Sequence, residues 1–131
     1  MEAIKRGDRD ELADLVRGQG TYTSDISIPG QLYACFVRSP WAHAEILSVD
    51  TEVAAAMPGV RGVLSAKDVE AAGLGRISPL VIMKGSDGQA MHASGMPVLA
   101  SDRVRHVGEP VALVVAETLE QAMNAAEQVV V

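Results

Sequence analysis

The sequence predicts an α/β class, α+β in its mixture: one mixed sheet with short helices packed on it. Three observations carry that expectation. Residues 111–117 (VALVVAE) form an almost unbroken apolar run of strand length, the signature of a central, doubly covered strand. A helical period follows it directly, opened by Thr118 and Gln121 at capping-box spacing. Strand-like and helix-like segments alternate in both halves, separated by turn signals such as Pro29-Gly30 and Pro58-Gly59.

Taken in order, residues 8–17 (DRDELADLVR) read as a short helix with an apolar stripe at Leu12, Leu15 and Val16, stopped by Gly18. Residues 18–30 are dense in Gly, Thr, Ser and Pro and read as a loop, with Pro29-Gly30 turning into the next element. Residues 31–39 read as a strand with Leu32, Ala34 and Phe36 on one face and Tyr33, Cys35 and Val37 on the other. Both sets are apolar, so burial on both faces is expected, and Pro40 ends the run. Residues 43–50 read as a second strand. Asp50 or Thr51 caps a helix from Glu52 to Met57, which Pro58-Gly59 terminates. Residues 60–64 form a third strand, and Ser65 with Asp68 opens a helix closed by Gly73.

Residues 73–97 break the alternation. They hold five glycines (Gly73, Gly75, Gly85, Gly88, Gly95) and three methionines (Met83, Met91, Met96), with no sustained period beyond the apolar run Leu80 to Met83. A connection this long inside a compact domain is expected to bind something or pack on a neighbour. Residues 103–107 and 111–117 then read as strands joined by Gly108-Glu109-Pro110. The last helix, to about Gln128, is expected to bury Leu119, Ala122, Met123 and Ala126 and to wet Glu120, Gln121, Asn124, Glu127 and Gln128. Val129 to Val131 read as the start of a further strand, so the chain is expected to be a piece of something longer.

Length and composition bound the function. At 131 residues, 48% hydrophobic and 21% charged, the chain is expected to be a single globular domain, 1–131, with a real core. Aromatics are only 3%, so that core rests on small and branched aliphatics. A net charge of −6 argues against a phosphate-backbone partner, so no nucleic acid is expected. No run reaches the roughly 18 apolar residues of a membrane helix. Met1 to Asp14 has no apolar core of a secretory signal, so a cytoplasmic location and no membrane association are expected. The single Cys35 excludes an internal disulfide or a cysteine-cluster metal site.

Each residue type that could carry chemistry has a plainer reading. His43, His92 and His106 share no metal-ligand spacing and read as structural or solvated. Cys35 sits within an apolar strand and reads as packing, since a reactive thiol needs exposure and a positive neighbour. Ser39 precedes Pro40, and no G-x-S-x-G elbow surrounds any serine. Gly73-Leu74-Gly75 lacks the third glycine of a dinucleotide fingerprint. In Arg6-Gly7-Asp8 the aspartate reads as a helix cap rather than an adhesion signal. Met83, Met91 and Met96 could form an adaptable contact surface, though gap filling is the commoner role. Glu109, between Gly108 and Pro110, could be a general base. A structural hydrogen bond, or a pair with Arg38, Arg103 or Arg105, is favoured. No catalytic, cofactor-binding or metal-binding residue is therefore expected in this chain.

Three stretches together carry a resemblance. The first is Gly18-Gln19-Gly20-Thr21-Tyr22 with Asp25-Ile26 and Pro29-Gly30. The second is Leu32-Tyr33-Ala34 running into Val37-Arg38-Ser39-Pro40 and Ala42-His43-Ala44 with Ile46. The third is Leu99-Ala100, Val104-Arg105, Val107-Gly108-Glu109-Pro110-Val111-Ala112 and Val114-Val115-Ala116-Glu117-Thr118. In order and spacing, over roughly residues 7–131, they resemble the N-terminal α/β-hammerhead domain of the xanthine dehydrogenase/aldehyde oxidase family. Trp41 stands where the family often has histidine, and residues 76–96 follow no family pattern.

The resemblance implies an α/β-hammerhead fold opening the molybdopterin-binding large subunit of a molybdenum hydroxylase or dehydrogenase of aldehydes, purines, N-heterocycles or carbon monoxide. The implied parent reaction is oxidative hydroxylation, with electrons passing through [2Fe-2S] clusters to FAD. The implied partners are the remaining molybdopterin-binding domains and the iron–sulfur and flavin subunits or domains. The pterin contacts and the catalytic glutamate lie in later domains of the family, so no residue here inherits them. Arg38, His43, Gly108, Glu109 and Pro110 match family positions and read as architectural, in a domain that braces the subunit and helps shape access to its site. The competing readings are a stand-alone interaction module using residues 73–97 and a small autonomous enzyme.

Overall fold

A computed structural model describes residues 12–131, so Arg6-Gly7-Asp8 and the first part of the expected N-terminal helix lie outside the described residues. The described chain forms two compact units, one up to Gln31 and one from Leu32 to Val131.

In the first unit, residues 12–16 are helical. Gly18 closes the helix at φ +71°, its N–H donating to Leu15 O while Gln19 N–H reaches back to Asp14 O. This is the paired capping of a left-handed glycine end. The loop that follows contains one 3₁₀ turn, Thr23–Asp25, with Asp25 accepting from Tyr22 N–H. Gln31 N–H donates to Ile28 O across Pro29 and Gly30, and Gly30 takes φ +80°. Proline followed by a positive-φ glycine is the requirement of a type II turn.

The second unit is built on an antiparallel sheet of three strands, in the order β1 (Tyr33–Arg38), β5 (Pro110–Ala116), β3 (Val60–Ser65). A small second ladder pairs β2 (Ala44–Glu45) with β4 (Arg103–Val104). The helices are α1 (Glu52–Ala55), α2 (Ala66–Ala71) and α3 (Leu119–Ala126). The nearly all-apolar segment is the central strand, as its composition requires. The sheet expected to be mixed is antiparallel at every described pairing. The reason is topological: β1 and β3 run in the same direction, and β5 lies between them, antiparallel to both.

The main core lies under one face of this sheet, where Ala54 of α1, Ala112 and Val114 of β5, Ala125 of α3 and Val129 pack together. Ala100, Val104 and Val111 form a second cluster beneath the small ladder. Val49 borders both.

Three further expectations need correction. Strand β1 is not covered on both faces. Its burial alternates, Tyr33, Cys35 and Val37 being half-buried and Ala34, Phe36 and Arg38 exposed, because the helices cover one side only. Helix α3 buries Ala122 and Ala125 completely but leaves Leu119 and Met123 about half exposed. Its inward stripe is Ala122, Ala125, Ala126 and Val129, still at helical spacing, and the small alanines allow close approach to β1 and β5. The segment between α2 and β4 is not patternless. Ile77 pairs with Met96 and Lys84 with Ala90, antiparallel, forming an exposed two-legged arm.

The caps follow the sequence. Asp68 accepts from both the N–H and the hydroxyl of Ser65, and Thr118 exchanges hydrogen bonds with Gln121. For α1 it is Asp50 that supplies the carboxylate, to Glu52 N–H. Gly73, at φ +69°, ends α2 with its N–H on Glu70 O and Leu74 N–H on Val69 O, so Gly73-Leu74-Gly75 is a helix stop. Val130 forms an isolated antiparallel bridge with Asp50, outside any strand.

Candidate functional site

The polar centre of the molecule is the joint where the segment after β1 meets the turn before β5. Pro40 cannot donate to a ladder, so β1 ends there and the chain must turn. Gly108 makes the opposing turn. Glu109 N–H donates to His106 O, and Gly108 takes φ +84°, a conformation glycine adopts at no steric cost. These turns bring Arg38-Ser39 against Gly108-Glu109. Ser39 N–H donates to Glu109 O at 3.0 Å, and Gly108 N–H donates to Ser39 O at 2.8 Å. The Arg38 guanidinium adds a third link, donating to Gly108 O at 2.8 Å while lying over the Phe36 ring.

Ser39 and Glu109 are the buried polar residues of the described chain, at 7% and 4% exposure. Burial of a polar group demands a partner, and both side chains have one. Ser39 Oγ accepts from Trp41 N–H at 3.0 Å and its hydroxyl reaches Trp41 O at 3.3 Å. Glu109 Oε2 accepts from the backbone N–H of Arg105, with His106 Nδ1 at 3.6 Å. The carboxylate therefore caps its own turn. Of the two arrangements expected for Glu109, the structural hydrogen bond is the one formed and the guanidinium pair is not: Arg103 turns to Glu45, and Arg105 turns to Arg103 O and Asp102.

An open cleft of about 360 Å³ lies beside this joint, between Arg76 with Ser94–Pro97 at the base of the arm and Arg105, His106 and Glu109. The other weighed residues are dispersed. His43 and His92 are exposed, in a bend and on the arm. Cys35 is half-buried in β1, paired with Val114 on the helix-covered side. Met83, Met91 and Met96 are on the arm and exposed, so they fill no gap in the described core. Among the described residues no three His, Cys, Asp or Glu side chains converge on a possible metal position. A lone cysteine does not supply the thiolate set of an iron–sulfur cluster.

The role missed from sequence was that of Ser39, weighed there only as a nucleophile. A serine hydroxyl that bonds the backbone two residues on closes a local turn, and serine in a turn segment is the signal for it. Among the described residues no helix is long and apolar enough to cross a membrane.

Comparison with known proteins places this geometry. Residues 17–131 match the family described as aldehyde oxidase and xanthine dehydrogenase, a/b hammerhead domain. The nicotine 6-hydroxylase large subunit of Paenarthrobacter nicotinovorans is 46% identical over 125 residues, 95% of this chain and 15% of that protein. Quinoline 2-oxidoreductase from Pseudomonas putida 86 superposes with a TM-score of 0.81 at 34% identity, over 99% of this chain and 15% of its own. The Cu,Mo-CO dehydrogenase in its carbon monoxide reduced state gives a TM-score of 0.74 at 36% identity, over 92% of this chain and 14% of its own. The chain thus spans well under a fifth of the relatives it matches. None of these matches supports a stand-alone interaction module.

Proposed function

The chain belongs to the aldehyde oxidase and xanthine dehydrogenase family as an a/b hammerhead domain, and we propose that it is a bracing, non-catalytic domain of a molybdenum-dependent hydroxylase or dehydrogenase. The observation that carries this reading is the Ser39–Glu109 joint. The two buried polar side chains hold backbone N–H and C=O groups of adjacent turns, which is a structural use of both.

In this reading residues 1–131 act as one domain of a larger subunit and none is a catalytic, pterin-binding or metal-binding residue. The molybdopterin cofactor with its molybdenum belongs to the rest of the subunit, and the [2Fe-2S] clusters and FAD to partner subunits or domains. The assembly is cytoplasmic, with no nucleic-acid or membrane partner. Its substrate carries an electron-poor carbon, as in an aldehyde, a purine or an N-heterocycle, or is carbon monoxide. The domain helps shape access to the buried site.

The test is Glu109→Ala in the full-length enzyme, scored as turnover per bound molybdenum. A bracing residue lowers the yield of folded, molybdenum-loaded enzyme and leaves turnover per molybdenum and its pH profile unchanged. A fall of tenfold or more in turnover per molybdenum, in enzyme of normal molybdenum content, would make Glu109 part of the chemistry and overturn the reading.

A further inference from the structure

Two arginines from segments far apart in the sequence border the cleft beside the joint: Arg76 at the base of the arm and Arg105 just after β4, with His106 next to the second. Each is held by backbone geometry. Ile77 and Met96 exchange both hydrogen bonds of their antiparallel bridge, at 2.8 and 2.9 Å, which fixes the chain beside Arg76. The Arg76 Nε–H then donates to Gly95 O at 2.6 Å, from one leg of the arm to the other. Glycine permits this close approach, since an added Cβ would fall 2.9 Å from Arg76 Cβ and 3.2 Å from Ile77 O. Across the cleft the backbone N–H of Arg105 donates to the Glu109 carboxylate, and its guanidinium donates to Arg103 O at 2.8 Å.

Neither guanidinium is held in a close ion pair. Among the described residues Arg76 makes none. Arg105 meets Asp102 only at 3.5 Å, with the two side chains 50% and 72% exposed, and a pair of that kind contributes little. The Glu109 carboxylate also borders the cleft, but its side chain is 5% exposed and is occupied by Arg105 N–H and by His106 Nδ1 at 3.6 Å. A chain of net charge −6 thus sets two guanidinium groups and an imidazole around one cleft of about 360 Å³. We propose that this cleft binds a phosphate group, clamped between Arg76 and Arg105, with His106 as a further N–H donor. A guanidinium offers a planar fork of N–H donors to two oxygens of an oxyanion. One fork satisfies a carboxylate. Two forks from separate segments suit a tetrahedral anion, whose oxygens point in several directions. Inorganic phosphate and a phosphate monoester share that chemistry.

The test is modification of arginine by phenylglyoxal in the full-length enzyme, read peptide by peptide by mass spectrometry, with and without inorganic phosphate at an ionic strength held constant with sodium chloride. Arg76 and Arg105 are expected to react in chloride alone and to be protected about tenfold by millimolar phosphate, while Arg61, paired with Glu117, is unaffected. Methyl phosphate protecting at lower concentration than inorganic phosphate identifies an ester as the ligand, and the reverse order identifies the free anion. In calorimetry, Arg76→Gln and Arg105→Gln are each expected to weaken phosphate binding about tenfold with molybdenum content unchanged. Absence of protection, or equal protection of Arg61, would reduce the cluster to unspecific charge and overturn the proposal. So would two arginines that are unreactive before phosphate is added, because protein would then fill the cleft. Saturable phosphate binding that survives both substitutions would put the anion elsewhere and overturn it as well.

Discussion

The backbone N–H of Ser39 donates to the carbonyl of Glu109 at 3.0 Å, joining the end of β1 to the start of β5 through two residues that are both buried. Because their side chains also close the flanking turns, deleting either carboxylate or hydroxyl leaves a backbone group without its partner. Removing one partner of a buried hydrogen bond costs more than the bond itself contributes. Glu109→Ala is expected to destabilise the 131-residue chain by about 1–3 kcal/mol in urea unfolding. Glu109→Gln, which keeps an acceptor, is expected to recover at least half of that loss. An unchanged midpoint for the alanine variant would show that the joint contributes nothing.

Two glycines at the same backbone conformation separate strain from crowding. Gly108 and Gly59 have φ of +84° and +79°. An added Cβ meets nothing within 4 Å at Gly108, whereas at Gly59 it falls 2.4 Å from the Gln121 amide. Gly108→Ala is expected to cost only the left-handed penalty of about 1–2 kcal/mol. Gly59→Ala is expected to cost roughly 0.5–1 kcal/mol more, because Gln121 must leave the Thr118 N–H that it caps. Equal midpoints for the two variants in chemical denaturation would contradict the role of Gln121.

The corrected face of α3 makes a paired prediction. Ala125 is fully buried and Met123 is half exposed. Ala125→Leu is expected to overpack the sheet contact and cost about 1–3 kcal/mol. Met123→Lys is expected to stay within about 0.5 kcal/mol of the parent chain. The reverse order of thermal stabilities would restore the buried face expected from the helical period.

That correction shows where sequence was legible and where it was not. Caps and turns were readable because their chemistry is local: Ser65 with Asp68, Thr118 with Gln121, and Gly18, Gly30 and Gly73 each do what their neighbours require. The centrality of β5 was readable from its run of apolar residues. The inward face of α3 was not, since two stripes of helical period overlap and only the closeness of the sheet selects the alanines. Nor was the open face of β1 readable, because an apolar alternation does not say how many layers cover it. The pairing of Ser39 with Glu109 is a tertiary fact that no spacing in the chain contains.

Acid should loosen the start of α2. Ser65, first through its backbone N–H and then through its hydroxyl, holds the Asp68 carboxyl below its ordinary value of 3.8. A depressed folded-state value means that the contribution is complete above the unfolded-state value and is lost as pH falls through the folded-state one. The gap in urea midpoint between the parent chain and Asp68→Asn is expected to be constant near neutrality and to narrow below about pH 4. A gap that widened on acidification would contradict the sign.

The most direct measurement is the molybdenum content of the purified 131-residue chain beside that of the full-length enzyme containing it, by elemental mass spectrometry after expression in the same host. A bracing domain predicts background molybdenum in the chain alone and stoichiometric molybdenum in the full-length enzyme. Stoichiometric molybdenum retained by the chain alone after dialysis would contradict the account.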